Sequence, residues 1–249
     1  MYGMTDKKIL ITGAPRAATK STAVFLYEIG LEIHHEMNKE NGTVSSLHTH
    51  LHEDYDVVLH QTREPLASIK SLHKLNWVSY DFYQDIPEDI YDNDKLLMDY
   101  LPLSEIKLFN SKKPESYEHI KRWKNIMPKI KDTNLTRQCM KAWLEFNLEA
   151  EDVASWTYRV EDLQNKEIFK EWLERMGIPY SDDYFDRYIK GRYSKNKINA
   201  WEETTAPDLS WDILAELDLD LTRRIISCSH NFGYNINLSY EIKHQNIRE

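Results

Sequence analysis

An α/β architecture, with a parallel sheet covered by helices on both faces, is what this sequence predicts, and three observations predict it. Ile9-Leu10-Ile11-Thr12 is a short aliphatic run, suited to a buried strand. It breaks at Gly13-Ala14-Pro15 and resumes with Ala23, Val24, Leu26 and Ile29 at helical spacing. Val57 to Ser71 repeats the sequence of strand, turn and helix. Glycine is scarce, at 7 of 249 residues, which argues against a loop-rich all-β chain. That length fits one domain, 1–249, in which residues 75–150 form a mostly helical insertion.

Composition narrows the function. A net charge of −9 disfavours nonspecific nucleic-acid binding, which needs a basic face, but leaves room for a local basic pocket. The acids between Asp81 and Asp99 read as solvated surface. Cys139 and Cys228 match no metal or redox spacing and read as idle thiols in a reducing compartment. No stretch approaches the roughly 20 apolar residues that cross a bilayer, and Ile9–Thr12 is too short for a signal-peptide core. A soluble, cytoplasmic protein with no membrane or nucleic-acid partner is expected.

The first strand, turn and helix make an anion site. The leading N–H groups of a helix lack internal partners and carry the positive end of its dipole. Arg16 adds a charge, and Thr19, Lys20, Ser21 and Thr22 add donors. A nucleotide-triphosphate loop of the Gly-x4-Gly-Lys-Ser/Thr type would place Gly at 18 and Lys at 19, where this chain has Ala18 and Thr19. The pair Lys20-Ser21 comes one residue late, so an ATP-dependent small-molecule kinase is the weaker reading.

Gly30 closes the first helix, and Leu31 to Glu36 reads as a second strand. In a parallel sheet, His35 and Glu36 then emerge at the edge where ligands bind. Residues 41–52 form a turn and an irregular or short extended segment. There His48, His50 and His52 alternate, as for one face of an extended chain, which suits a metal site or contacts to a substrate. In the second unit, Arg63 lies just past the strand, Pro65 suits a first helical turn, and Ser71 follows eight residues after Arg63, about two turns on. A guanidinium fork plus a hydroxyl is good phosphate chemistry.

The two loops together resemble those of sulfotransferases that use 3′-phosphoadenosine 5′-phosphosulfate (PAPS). That family's first loop reads roughly Pro-Lys/Arg-Ser-Gly-Thr-Thr, and Pro15-Arg16-Ala17-Ala18-Thr19-Lys20 stands in its place, with Ala for the Ser and the Gly. The family's Arg at a strand end and Ser eight residues on correspond to Arg63 and Ser71. The resemblance implies a three-layer α/β/α fold of the P-loop type. It implies that Ala14, Pro15, Arg16, Ala17, Ala18, Thr19 and Lys20 hold the 5′-phosphosulfate, with Arg16 assisting catalysis, and that Arg63 and Ser71 hold the 3′-phosphate. It implies a base on the second strand, Glu36 or His35, PAPS as co-substrate with 3′-phosphoadenosine 5′-phosphate (PAP) as product, no metal, and a small-molecule or glycan acceptor bearing a hydroxyl. A binding protein that keeps the pocket without turnover is the remaining alternative.

Later elements follow the same pattern. The segment from Leu75 to about Lys113, with Trp77, Tyr80 and Phe82, has no clear periodicity, and the resemblance makes it a cap over the acceptor. Ser116–Ile130 and Leu135–Ala150 read as amphipathic helices. Trp156 to Val160 is a strand closed by Glu161-Asp162, which resembles the family's Glu-Asp-Leu landmark and places Arg159 and Val160 near the adenosine. Helices are expected at Ile168–Met176, at Tyr184–Ile189 and from Ser210 through about Cys228. Between the last two, the basic loop Gly191 to Asn199 offers Arg192, Lys195 and Lys197, which the resemblance sets over the 3′-phosphate.

Overall fold

The computed structural model describes residues 5–36, 38–74, 122, 125–193 and 208–237, with backbone only at 192 and 193. Five strands form one all-parallel sheet: β1 (Ile9–Thr12), β2 (Ile33–His35), β3 (Gly42–Val44), β4 (Val57–Thr62) and β5 (Trp156–Arg159), in the order β2-β3-β1-β4-β5. The helices are α1 (Thr19–Glu28), α2 (Pro65–Lys74), α3 (Leu135–Val153), α4 (Lys166–Arg175), α5 (Asp182–Tyr193), α6 (Trp211–Leu217) and α7 (Leu219–Asn231). The expected α/β/α class is what the chain adopts.

Alternation along each strand divides the core in two. Ile9 and Ile11 of β1 and Leu59 of β4 face Phe25 and Leu26 of α1 and Phe169 and Trp172 of α4. A ring cluster there joins Phe25, Phe169, Trp172 and Tyr188. The intervening residues point the other way: Leu10 packs with Tyr55 and Val58, and His60 reaches Asn147 of α3. On that face Ile69 and Leu72 of α2 meet Met140 and Trp143 of α3 and Ile225 of α7. Burying both faces is what an all-parallel sheet requires. Burial of an aliphatic or aromatic side chain contributes about 1.5–3 kcal/mol, which is why strands of three to six residues suffice here.

Several sequence expectations need adjustment. The segment 41–52 contains a strand, β3, which inserts between β1 and β2, pairing Ile9 with Gly42 and Ile33 with Gly42. Any Cβ at Gly42 would stand 1.8 Å from the Ile9 carbonyl oxygen, so only glycine can sit there. After β3 the chain turns through a 3-10 segment, Thr49–Asp54, so the alternation of His48, His50 and His52 on one face does not form. The expected final helix is two, because Asp218 takes extended backbone and caps a new helix by accepting from the Leu221 N–H at 3.0 Å. Residues 135–150, expected to be helical, are part of α3 and pack in the core. Of the helix expected at Ser116–Ile130, residues 125–130 are helical, and Ile126, Met127 and Ile130 are fully buried. The proposed cap, Leu75 to Lys113, lies outside the described residues. Cys139 and Cys228 are buried thiols, each pushed up to about 12, chiefly by burial. Among the described residues, no helix is long and apolar enough to cross a membrane.

Candidate functional site

Parallel strands bring all their C-terminal ends to one edge, and each of the five contributes to a single cleft of about 270 Å³. β1 supplies Pro15, Arg16, Ala18, Thr19, Lys20 and Ser21, β2 supplies His35 and Glu36, and β3 leads to Ser46. β4 supplies Arg63, and β5 supplies Val160.

The turn after β1 is forced by close packing. At Gly13 a side chain would stand 2.1 Å from the Gln61 carbonyl oxygen, so β1 can leave the sheet here only through glycine. Gln61, fully buried on β4, anchors the loop from below. Its side-chain N–H donates to the Ala17 carbonyl, and its oxygen accepts from Thr22 and Tyr158, each at 2.7 Å. Arg16 and Ala18 both take left-handed backbone, with φ 72° and 66°. Alternating handedness of this kind curls a chain so that its N–H groups converge.

The N-terminus of α1 is left open. Ala18 holds the cap position, and among the described residues no side chain caps the first N–H groups of the helix. Among the described residues, α2 to α7 are capped by side chains: Glu64 for α2, Asn134 for α3, Asn165 for α4, Ser181 for α5, Ser210 for α6 and Asp218 for α7. The exposed α1 donors face the cleft beside Thr19, Lys20 and Ser21, which gives it the polarity an anion wants.

Two guanidiniums reinforce that polarity. Arg63 donates from Nη1 to the Arg16 carbonyl at 3.2 Å, and Arg16 donates from Nε to the Ser71 hydroxyl at 2.9 Å. Burial first, and the adjacent charge of Arg63 second, hold Arg16 below the ordinary arginine value. Among the described residues, no carboxylate pairs with either one. Every other arginine with a described side chain has such a partner: Arg122 has Glu149, Arg137 has Asp132 and Arg159 has Asp162, and those of α4, α5 and α7 are likewise paired. In a chain of net charge −9, two half-buried cations that pair with no carboxylate among the described residues suit an anion.

Opposite them lies an acid–base cluster. His35 Nε2 shares a hydrogen bond with Thr19 Oγ1 at 3.0 Å and stands 3.7 Å from a Glu36 carboxylate oxygen. Glu36 takes left-handed backbone, φ 56°, which turns its side chain back over β3. There it accepts from the Ser45 hydroxyl and from the N–H and hydroxyl of Ser46, at 3.3 and 3.1 Å. Behind Ser45, buried His48 approaches the same hydroxyl at 2.6 Å.

The expected site residues therefore divide. Pro15, Arg16, Ala18, Thr19, Lys20, His35, Glu36 and Arg63 all line the cleft, and Ser71 joins it through Arg16. Ala14 and Ala17 lie beneath it, fully buried; the Ala17 N–H is taken by the Ala14 carbonyl at 3.2 Å. Arg159, expected near the adenosine, is not among the residues that line the cleft. It is held bidentately by Asp162 at 2.6 and 2.7 Å and donates to the Gly233 carbonyl at 2.6 Å, so Val160 is the β5 residue that reaches the cleft. The Arg192 side chain and Lys195 and Lys197 lie outside the described residues. Ser45, Ser46 and the anchoring role of Gln61 were not anticipated. A Ser-Ser pair just after the β-branched Thr43-Val44 was the available signal.

Comparison with protein-family models, with curated proteins and with solved structures finds no match to this chain.

Proposed function

We propose that this protein transfers a sulfuryl group from PAPS to an acceptor hydroxyl. One observation carries the reading: Arg63 at the end of β4 shares a single cleft with the open helix start at the end of β1, and bonds its backbone. Two cationic cradles in one crevice suit an adenosine with phosphates at both its 3′ and 5′ positions. A triphosphate needs one continuous loop instead, and the lysine spacing here does not supply it.

In the reaction, the acceptor oxygen attacks sulfur in line and forms the new S–O bond. The bond from sulfur to the 5′-phosphate oxygen breaks, and its electron pair leaves on PAP. The N–H groups at the start of α1 and the Lys20 ammonium stabilise the sulfonate and the departing phosphate. The acceptor proton passes to the His35–Glu36 pair, in which the carboxylate is held by Ser45 and Ser46. Positioning and charge carry most of the rate, by analogy with phosphoryl transfer.

Thermal shift with PAP, ATP plus Mg²⁺, and AMP tests the reading. PAP at a hundred times its Kd should add about 2.7 kcal/mol, which raises the Tm of a chain this size by about 5–10 °C. A larger shift with ATP would make the protein a kinase. A PAP shift with no labelled product from ³⁵S-PAPS and a panel of hydroxylated small molecules and glycans would make it a nucleotide binder without turnover.

A further inference from the structure

The loop that opens on α1 and the strand end that carries Arg63 are not two independent cradles, because Arg16 joins them. Its backbone belongs to the first loop, but its side chain leaves it. The guanidinium Nε lies 2.9 Å from the hydroxyl of Ser71, on α2, and Arg63 in turn bonds the carbonyl of Arg16 at 3.2 Å. Residue 16 thus gives its carbonyl to one arginine and its own guanidinium to the serine eight residues past that arginine. The left-handed backbone at Arg16, φ 72°, fixes this exit from the loop and is uncommon for a side chain of that size.

Two like charges held this close repel, and among the described residues no carboxylate pairs with either of them. The arrangement makes sense when a group of charge near −2 sits between them, where two guanidinium forks and a hydroxyl provide donors on several sides. The start of α1 keeps its own cation, Lys20, which lines the cleft four residues on from Arg16.

We propose that Arg16 is a 3′-phosphate ligand, acting with Arg63 and Ser71, and that Lys20 and the α1 N–H groups alone hold the 5′ end. This rests on the PAPS reading and reverses the assignment of Arg16 that the loop's sequence position suggests. Arg16 then determines specificity for a 3′-phosphorylated nucleotide and does not touch the transferred sulfonate.

Calorimetric titration with PAP, adenosine 5′-phosphate and adenosine 3′-phosphate tests the assignment on the intact chain. Wild type should bind PAP at least about tenfold more tightly than adenosine 5′-phosphate. Arg16→Ala should weaken PAP and adenosine 3′-phosphate by about 10–100-fold, the usual range for a charge-assisted hydrogen bond. It should leave adenosine 5′-phosphate within about twofold, since the ligand then lacks the group that Arg16 holds. Ser71→Ala, which removes one hydroxyl from a helix surface and leaves the loop intact, should shift the same two ligands in the same direction by a smaller factor. Lys20→Ala should instead weaken PAP and adenosine 5′-phosphate alike. Equal losses for PAP and adenosine 5′-phosphate in Arg16→Ala would overturn the assignment and leave the PAPS reading standing. Wild type that fails to distinguish PAP from adenosine 5′-phosphate would overturn both.

Discussion

The units β1–α1 and β4–α2 are built to one plan, yet they finish their helices in opposite ways. Each runs from a buried strand through a short turn into a helix of ten residues. At α2 the turn residue Glu64 folds back and accepts from the Leu66 and Ala67 N–H groups at 3.1 and 2.6 Å. A second carboxylate, Glu161, accepts the Glu64 N–H at 3.0 Å and is itself held by the Tyr234 hydroxyl. At α1 the equivalent position is Ala18, in left-handed backbone, with nothing to offer. The positive end of one helix is thus neutralised by the chain, and the other is left open. The capped unit contributes a side chain, Arg63, and the uncapped one contributes backbone. Under the proposed function, that difference would let one cleft take two anionic groups without two competing helix starts.

The strand ends differ as well, and acid separates them most strongly. Thr12 and His60 are ladder partners. Thr12 is tied to Thr49 by a hydroxyl pair at 2.6 Å, which no pH in the working range changes. His60 donates to Asn147 through Nε2 at 2.9 Å, because the Asn147 amide N–H₂ is already spent on the Trp143 carbonyl, and it accepts from Thr157 at 3.2 Å. Burial holds it neutral and lowers it to about 4. A histidine depressed in the folded state takes its proton only in the unfolded chain between the two values. Stability is therefore fully present above about pH 6.5, falls below that, and has lost about 3 kcal/mol by pH 4. Urea unfolding at pH 7 and pH 4.5 should show the loss in wild type and much less of it in His60→Gln. Equal acid sensitivity in the two proteins would move the cause elsewhere.

Removing the cap makes α2 resemble α1. Glu64→Ala leaves two N–H groups without acceptors, at an expected cost of about 1–2 kcal/mol in urea unfolding. The same variant should gain more stability from added sulfate than wild type does, because a second helix start is then open to an anion. No change in stability would mean that Glu161 or water satisfies α2 and that Glu64 is not the reason its end is closed.

Much of this contrast was legible in the residues, and the parts that were not share a cause. The strands and helix starts of both units follow from Ile9–Thr12 and Val57–Thr62 with the breakers after them, because local pattern suffices for an aliphatic strand between turn residues. β3 was left open between an irregular and a short extended segment because three residues carry too little pattern; it exists through its ladder partners on both sides. The ion pair of Arg159 was not legible as such, because the sequence places Arg159 by resemblance alone while its partner Asp162 sits only three residues on. The cradle of Glu36 by Ser45 and Ser46 depends on β2 and β3 lying side by side, which neither segment states alone. Residue type marked the polar groups of the cleft; only topology said which of them meet.

The smallest expected effect is the sharpest probe of the comparison, because it concerns Ala18 alone. A non-glycine residue in left-handed backbone costs about 1–2 kcal/mol, and Ala18, at φ 66° and ψ 20°, bears that cost at a helix start that has no side-chain cap to offset it. Ala18→Gly should therefore raise stability by about 1 kcal/mol, less the extra freedom that glycine gains in the unfolded chain, a rise of about 2–4 °C in Tm for a protein of this size. PAP affinity should stay within about twofold, because the left-handed turn that aims the N–H groups is retained and glycine removes only a methyl group. A fall in stability would mean that the Ala18 methyl group is a packing contact and that the strain is repaid within the loop. Unchanged stability with weakened binding would mean that the alanine stiffens the loop for its ligand, in which case the open end of α1 is held ready by strain and not merely left uncapped.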